Sequence, residues 1–211
     1  MTAAELNALL PLAVLGGGAV LLMLQIAFLR NPGVSWWATI AVLLATMFSI
    51  LPGFAIDVQA TPLLLVDGTS SLFSLLFLGA GLVVTLLARE YLTHGSDESE
   101  EFYLLLLLSL LGAMVLTQAV HVASFLLGLE LLSIALYTLI AYPDRGKLPL
   151  EAAIKYLVLS GGASATLLFG FALLYAATGS LVFSEMGERL AQHDGALESP
   201  LVTCAAAVSY T

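Results

Sequence analysis

Long apolar runs alternate with short polar breaks along the chain. A bilayer core takes roughly 20 apolar residues per crossing helix. Residues 9–29 are one such run, closed by Arg30, Asn31 and Pro32. Residues 34–56 are a second, opening on Trp36 and Trp37, an interfacial aromatic signal. Residues 71–88 are a third, closed by Arg89 and Glu90. The stretch 102–142 is too long for one span and breaks at Thr117, Gln118 and His121. It therefore predicts a fourth span over 102–119 and a fifth over 121–142, and a sixth covers 152–176. Residues 1–178 thus form one expected transmembrane bundle.

The 179–199 segment is polar, with Glu185, Glu188, Arg189, His193, Asp194 and Glu198. Val182, Phe183, Met186 and Leu190 recur at helical spacing, which predicts an amphipathic helix on the outer face, or else a plain loop. Residues 200–211 are apolar but too few to cross. They lie in the interface or, the preferred expectation, begin a seventh span of a longer chain. The fold class is all-α: a polytopic transmembrane helix bundle of six full spans plus the start of a seventh.

Composition agrees. Of 211 residues, 60% are hydrophobic and only 10% charged, against about 25% in soluble domains. A soluble enzyme, a disordered tail and a nucleic-acid binder are excluded. The net charge of -9 also opposes binding to phosphate backbones. The single cysteine, Cys204, excludes a disulfide framework and any multi-cysteine metal or iron–sulfur site. Glu5, with no Lys or Arg before the first run, is the wrong flank for a signal peptide.

Basic residues in the loops set an orientation. With the N-terminus outside, the inner loops hold Arg30, Arg89, Arg145 and Lys147, and the outer segments hold only Arg189. The acidic run Asp97, Glu98, Glu100 and Glu101 then reads as a solvated inner loop, since nothing spaces its carboxylates around an ion.

Two charges fall inside spans. Glu130 is nine residues from His121 and twelve from Tyr142, on the order of 14 Å and 18 Å of helix, too far to snorkel. A charge at mid-bilayer costs at least ~2.5–3.5 kcal/mol, so this side chain must be neutral, paired or hydrated. Burial raises its proton affinity and a nearby cation lowers it, which is the chemistry of a proton relay. Ser133 and Tyr137 follow at i+3 and i+7 and share its face within about 60°. The alternative is a buried Glu that serves packing. Lys155 lies about a turn inside the sixth span, four residues after Glu151. Spacing alone allows an ion-paired anchor or a relay group.

Other signals are structural. Gly16 to Gly18 and the Gly161-Gly162-Ala163-Ser164-Ala165 patch permit close helix approach. His121 is a polar helix-end residue, and Asp67-Gly68 caps the third span. No nucleophile–base pair can be assembled.

The stretch from Ser124 to Tyr137, SFLLGLELLSIALY, resembles the fifth-helix motif of the subunit N family of proton-pumping NADH–quinone oxidoreductase, respiratory complex I. The stretch Glu151 to Gly161, EAAIKYLVLSG, followed by Ala163-Ser164, resembles that family's sixth helix. Phe169-Gly170, Tyr175, Thr178-Gly179-Ser180 and the Asp67-Gly68 turn also have counterparts. Subunits L and M and Mrp-type antiporters share the intramembrane Glu but differ around it.

The resemblance implies the first part of an antiporter-like inverted-repeat fold in a bacterial inner (plasma) membrane, acting within an enzyme complex. Glu130 matches the family's fifth-helix Glu, which pairs with a Lys on a broken seventh helix beyond residue 211. Lys155 matches a sixth-helix Lys on the same hydrophilic axis. The implied function is proton translocation driven by NADH oxidation and quinone reduction. NADH, FMN, iron–sulfur clusters and quinone would belong to partner chains, with no cofactor or metal in this one. Neighbouring membrane-arm subunits are the implied partners. A subunit of a multisubunit cation/proton antiporter and a purely structural membrane subunit are the alternatives.

Overall fold

The computed structural model describes residues 3–51, 58–93, 100–142, 147–192, 202–204 and 208. The elements run α1 (Ala3–Phe28), α2 (Pro32–Ile50), β1 (Val58–Thr61), β2 (Leu64–Val66), α3 (Gly68–Thr93), α4 (Glu100–Gln118), α5 (Val122–Ala141), α6 (Lys147–Thr178) and α7 (Phe183–Gln192). Among the described residues, α1 to α6 are each long and apolar enough to cross a membrane. Backbone groups in lipid must be satisfied within their own segment, and continuous helices do this.

Local chemistry sets the helix ends. Asn31 caps α2, its side-chain oxygen accepting from Gly33 N at 3.1 Å, with Pro32 at the first helical position. Asp67 caps α3: its carboxylate accepts from Ser70 N at 2.7 Å, and Ser70 Oγ accepts from Asp67 N at 3.0 Å. His121 caps α5, its Nδ1 accepting from Ala123 N at 3.0 Å. Gly179, at φ 67°, closes α6 by donating to Tyr175 O at 2.7 Å.

Helix α2 ends at Ile50, just ahead of Pro52, which has no N–H with which to continue the helical hydrogen bonds. An antiparallel hairpin then intervenes, β1 pairing with β2, which the sequence reading did not anticipate. Its turn docks on the α4–α5 connection, where Val120 N donates to Leu63 O at 3.1 Å and Ser124 Oγ donates to the same carbonyl at 2.7 Å. The other edge of that connection meets the start of α7. Val122 N donates to Leu181 O at 2.9 Å, and Phe183 N to Val120 O at 3.0 Å. Three chain segments are thus laced together across one end of the bundle, here called the hairpin face.

The core lies among α1 to α4. Leu15, Leu43, Leu78, Leu107 and Met114 are completely buried there. At the opposite end, the loop face, Arg30 pairs with Glu101 at 3.3 Å, and Tyr142 Oη donates to Glu101 at 3.4 Å. Arg89 lies 4.1 Å over the Trp36 ring, whose Nε1 donates to Thr85 O at 3.0 Å.

The acidic run differs from the expected solvated loop. Glu100 is buried and Glu101 is ion-paired, because both sit in the first turn of α4, where the helix dipole favours carboxylates. Asp97 and Glu98 lie outside the described residues, as do Arg145, His193, Asp194 and Glu198.

Candidate functional site

Glu130 occupies the ninth position of α5, eleven residues before its end at Ala141. Its direction follows from a glycine two positions earlier. Gly112 of α4 and Gly128 of α5 bring the two backbones into direct contact. A Cβ on Gly112 would stand 2.9 Å from Gly128 O, and one on Gly128 would stand 3.1 Å from Gly112 O. Two residues turn a helix by about 200°. With Gly128 pressed on α4, Glu130 must point away from it.

The burial pattern agrees. Ser124, Gly128 and Ala135 are buried toward α4, while Ala123, Leu127, Glu130 and Ile134 form an exposed stripe. Helical spacing predicts an interior polar stripe of Glu130, Ser133 and Tyr137. In the structure Ser133 is buried, Tyr137 is half-buried and Glu130 stands on the adjoining open face. Among the described residues its carboxyl makes no hydrogen bond or ion pair.

Helix α6 runs back beside α5. The ring of Phe125 contacts those of Phe171 and Phe183, each at 6.0 Å between centroids, near the hairpin face. Lys155 sits eight residues into α6, and its Nζ donates to Glu151 Oε1 at 2.6 Å. Both side chains of this pair are largely exposed, at 69% and 57%. Counted from the shared loop face, Glu130 is about 16 Å deep and Lys155 about 12 Å, by helical rise alone. The two groups share a general depth, but the cation's bonded partner is Glu151.

Beyond α6, Arg189 Nη1 donates to Thr178 O at 2.5 Å and its Nη2 lies 3.8 Å from Glu185. This ties α7 to the C-terminus of α6, where a cation is favoured. Met186 provides the buried side of α7, Phe183–Gln192, and residues 193–199 of the predicted amphipathic segment lie outside the described residues. Among the described residues no three His, Cys, Asp or Glu side chains gather to hold a metal ion. Cys204 is exposed.

The chain is similar to known proteins. Residues 119–209, which span α5 to α7 and include Glu130 and Lys155, match a family model described as NADH:quinone oxidoreductase/Mrp antiporter, TM. The whole fold is similar to a chain of respiratory complex I from Thermus thermophilus, solved with bound aureothin. The identity there is 35% and the TM-score 0.77, over 94% of this chain and 42% of that one. It is also similar to a chain of the membrane-bound sulfane sulfur reductase, an archaeal respiratory membrane complex. There the identity is 21% and the TM-score 0.81, over 97% of this chain and 43% of that one. At that identity the second likeness speaks for the fold alone. This chain spans less than half the length of either. It has the multi-pass, antiporter-like membrane fold of these respiratory-complex subunits.

Gly112 and Gly128 are the positioning residues that the sequence reading passed over. Their signal was present: isolated glycines inside two consecutive apolar helices, the second one two residues before an intramembrane acid.

Proposed function

We propose that this chain is the N-terminal part of a proton-translocating membrane-arm subunit of NADH–quinone oxidoreductase, in the manner of subunit N. One observation carries the proposal. The sole carboxyl in α5 stands at membrane depth, on a face that no described residue covers, within the segment matching the NADH:quinone oxidoreductase/Mrp antiporter family.

Glu130 is the proton-loading group. Its carboxyl shares an exposed face with Leu127 and Ile134, where a neighbouring helix can place it in an apolar setting or beside a cation. Alternation between these environments takes up and releases one proton. Lys155 is the second relay group, held by Glu151 in one state and free to move toward the axis in another. Ser133 and Tyr137 line the adjoining side of α5 and offer hydroxyls to the proton's path.

The redox chemistry, with NADH, FMN, iron–sulfur clusters and quinone, belongs to partner subunits. The loop face, carrying Arg30 and Arg89, is the cytoplasmic side of a bacterial inner membrane, which leaves the N-terminus outside.

The test is Glu130→Gln in the intact complex. NADH-driven proton pumping should fall while the complex still assembles. Wild-type pumping in an assembled variant would remove the relay role. A second reading, a subunit of a multisubunit cation/proton antiporter, is favoured by the breadth of the matched family, which includes Mrp antiporters. Co-purification with flavin- and iron–sulfur-bearing subunits separates the two.

A further inference from the structure

Near the hairpin face the ends of four helices line a small, partly open cavity with both polar and apolar walls. It is lined by Asn7 of α1, Ser49 of α2, Ser71 and Ser74 of α3, and Gln118 of α4, among others. Its volume of about 10 Å³ admits the centre of one water-sized sphere. Ser74 and Gln118 are almost fully buried, at 1% and 4% exposure. Neither Ser74 Oγ nor Gln118 Oε1 has a hydrogen-bond partner among the described residues. A polar atom left unpaired in a membrane bundle is strongly disfavoured, since lipid offers it nothing. Both orphans line the same cavity, and that cavity is the size of a single water.

We propose that this cavity is a binding site for one ordered water molecule, which bridges Ser74 Oγ and Gln118 and so joins α3 to α4. Water donates and accepts, so it suits the serine hydroxyl and either orientation of the glutamine amide. A well-placed buried water has two to four polar partners, and Asn7, Ser49 and Ser71 provide further ones on the same lining. A bare monovalent cation is the poorer occupant. No anionic group on the lining would balance its charge there. None of the residues lining this cavity belongs to α5, which carries Glu130, and the site does not depend on that residue's role.

The test is radiolytic hydroxyl labelling of the intact protein by synchrotron X-rays, which marks side chains beside bound water, combined with a density map that resolves waters. Pro11, Ile50 and Val66 line the cavity and should be labelled well above Leu43, which is completely buried elsewhere in the core. The map should show one peak within hydrogen-bond distance of both Ser74 Oγ and Gln118. In Ser74→Ala, and separately in Gln118→Met of similar volume, labelling of Ile50 and Val66 should fall to the Leu43 level while helicity is retained. Labelling of Ile50 and Val66 no greater than that of Leu43 in the unmodified protein would overturn the proposal. So would a peak whose occupancy follows the sodium concentration.

Discussion

Gly112→Ala isolates the contact that aims Glu130. The added Cβ would stand 2.6 Å from Leu132 N, 2.9 Å from Gly128 O and 3.0 Å from Leu132 Cα. All three are backbone atoms and cannot rotate aside. Ordinary contact begins at 3.4 Å, so α4 and α5 must part locally by about 0.8 Å. Overpacking of this kind costs about 1–3 kcal/mol. Alanine recovers about 0.8–1 kcal/mol over glycine in helix propensity. The control is Gly161→Ala, where nothing lies within 4 Å of the new methyl and only the propensity gain operates. The two variants should therefore differ by about the overpacking cost, 1–3 kcal/mol, with Gly112→Ala the less stable. Thermal unfolding in detergent, followed by circular dichroism, measures the difference. In the assembled complex Gly112→Ala should also lower proton pumping, because Glu130 moves with Gly128. Equal unfolding of the two variants would refute the backbone contact.

Other substitutions probe the remaining joints. Asp67→Ala removes the α3 cap and its reciprocal bond with Ser70, and should lower stability by about 0.5–2 kcal/mol in the same unfolding assay. Arg189→Ala breaks the bond to Thr178 O and loosens α7 against α6, where the Phe171–Phe183 ring contact remains. As its side chain is half-exposed, the loss should be about 1 kcal/mol or less, read as faster proteolysis within residues 183–192. Lys155→Ala removes an exposed i,i+4 pair worth only about 0.3–0.5 kcal/mol, so folding should be unaffected. Pumping by the assembled complex should nevertheless fall in Lys155→Ala and be better preserved in Lys155→Arg. Normal pumping in both would return Lys155 to an anchoring role.

The spans were legible because hydropathy needs only local sequence. Asp67 was legible as a cap for the same reason: Ser70 lies three residues on and answers it in the structure. The hairpin was not. Leu64, Leu65 and Val66 are too few to read as a strand on their own, and Leu63 docks on Val120 and Ser124 through groups far apart in sequence. The depth of Glu130 could be counted along α5, but its direction could not. A helical wheel orders the side chains around an axis without stating which one faces a neighbour. That was settled by Gly112 and Gly128, which only tertiary packing brings together. For Lys155 the local pairing with Glu151 was readable from spacing, and its relation to Glu130 was not.

The central claim is that Glu130 itself gains and loses a proton during turnover. Infrared difference spectroscopy of the intact complex, driven by NADH in the presence of quinone, observes the protonated carboxyl directly. Wild type and Lys155→Ala should both show a carboxylic C=O difference band that shifts in heavy water and is missing from Glu130→Gln. The same band at undiminished intensity in an assembled Glu130→Gln complex would contradict the account.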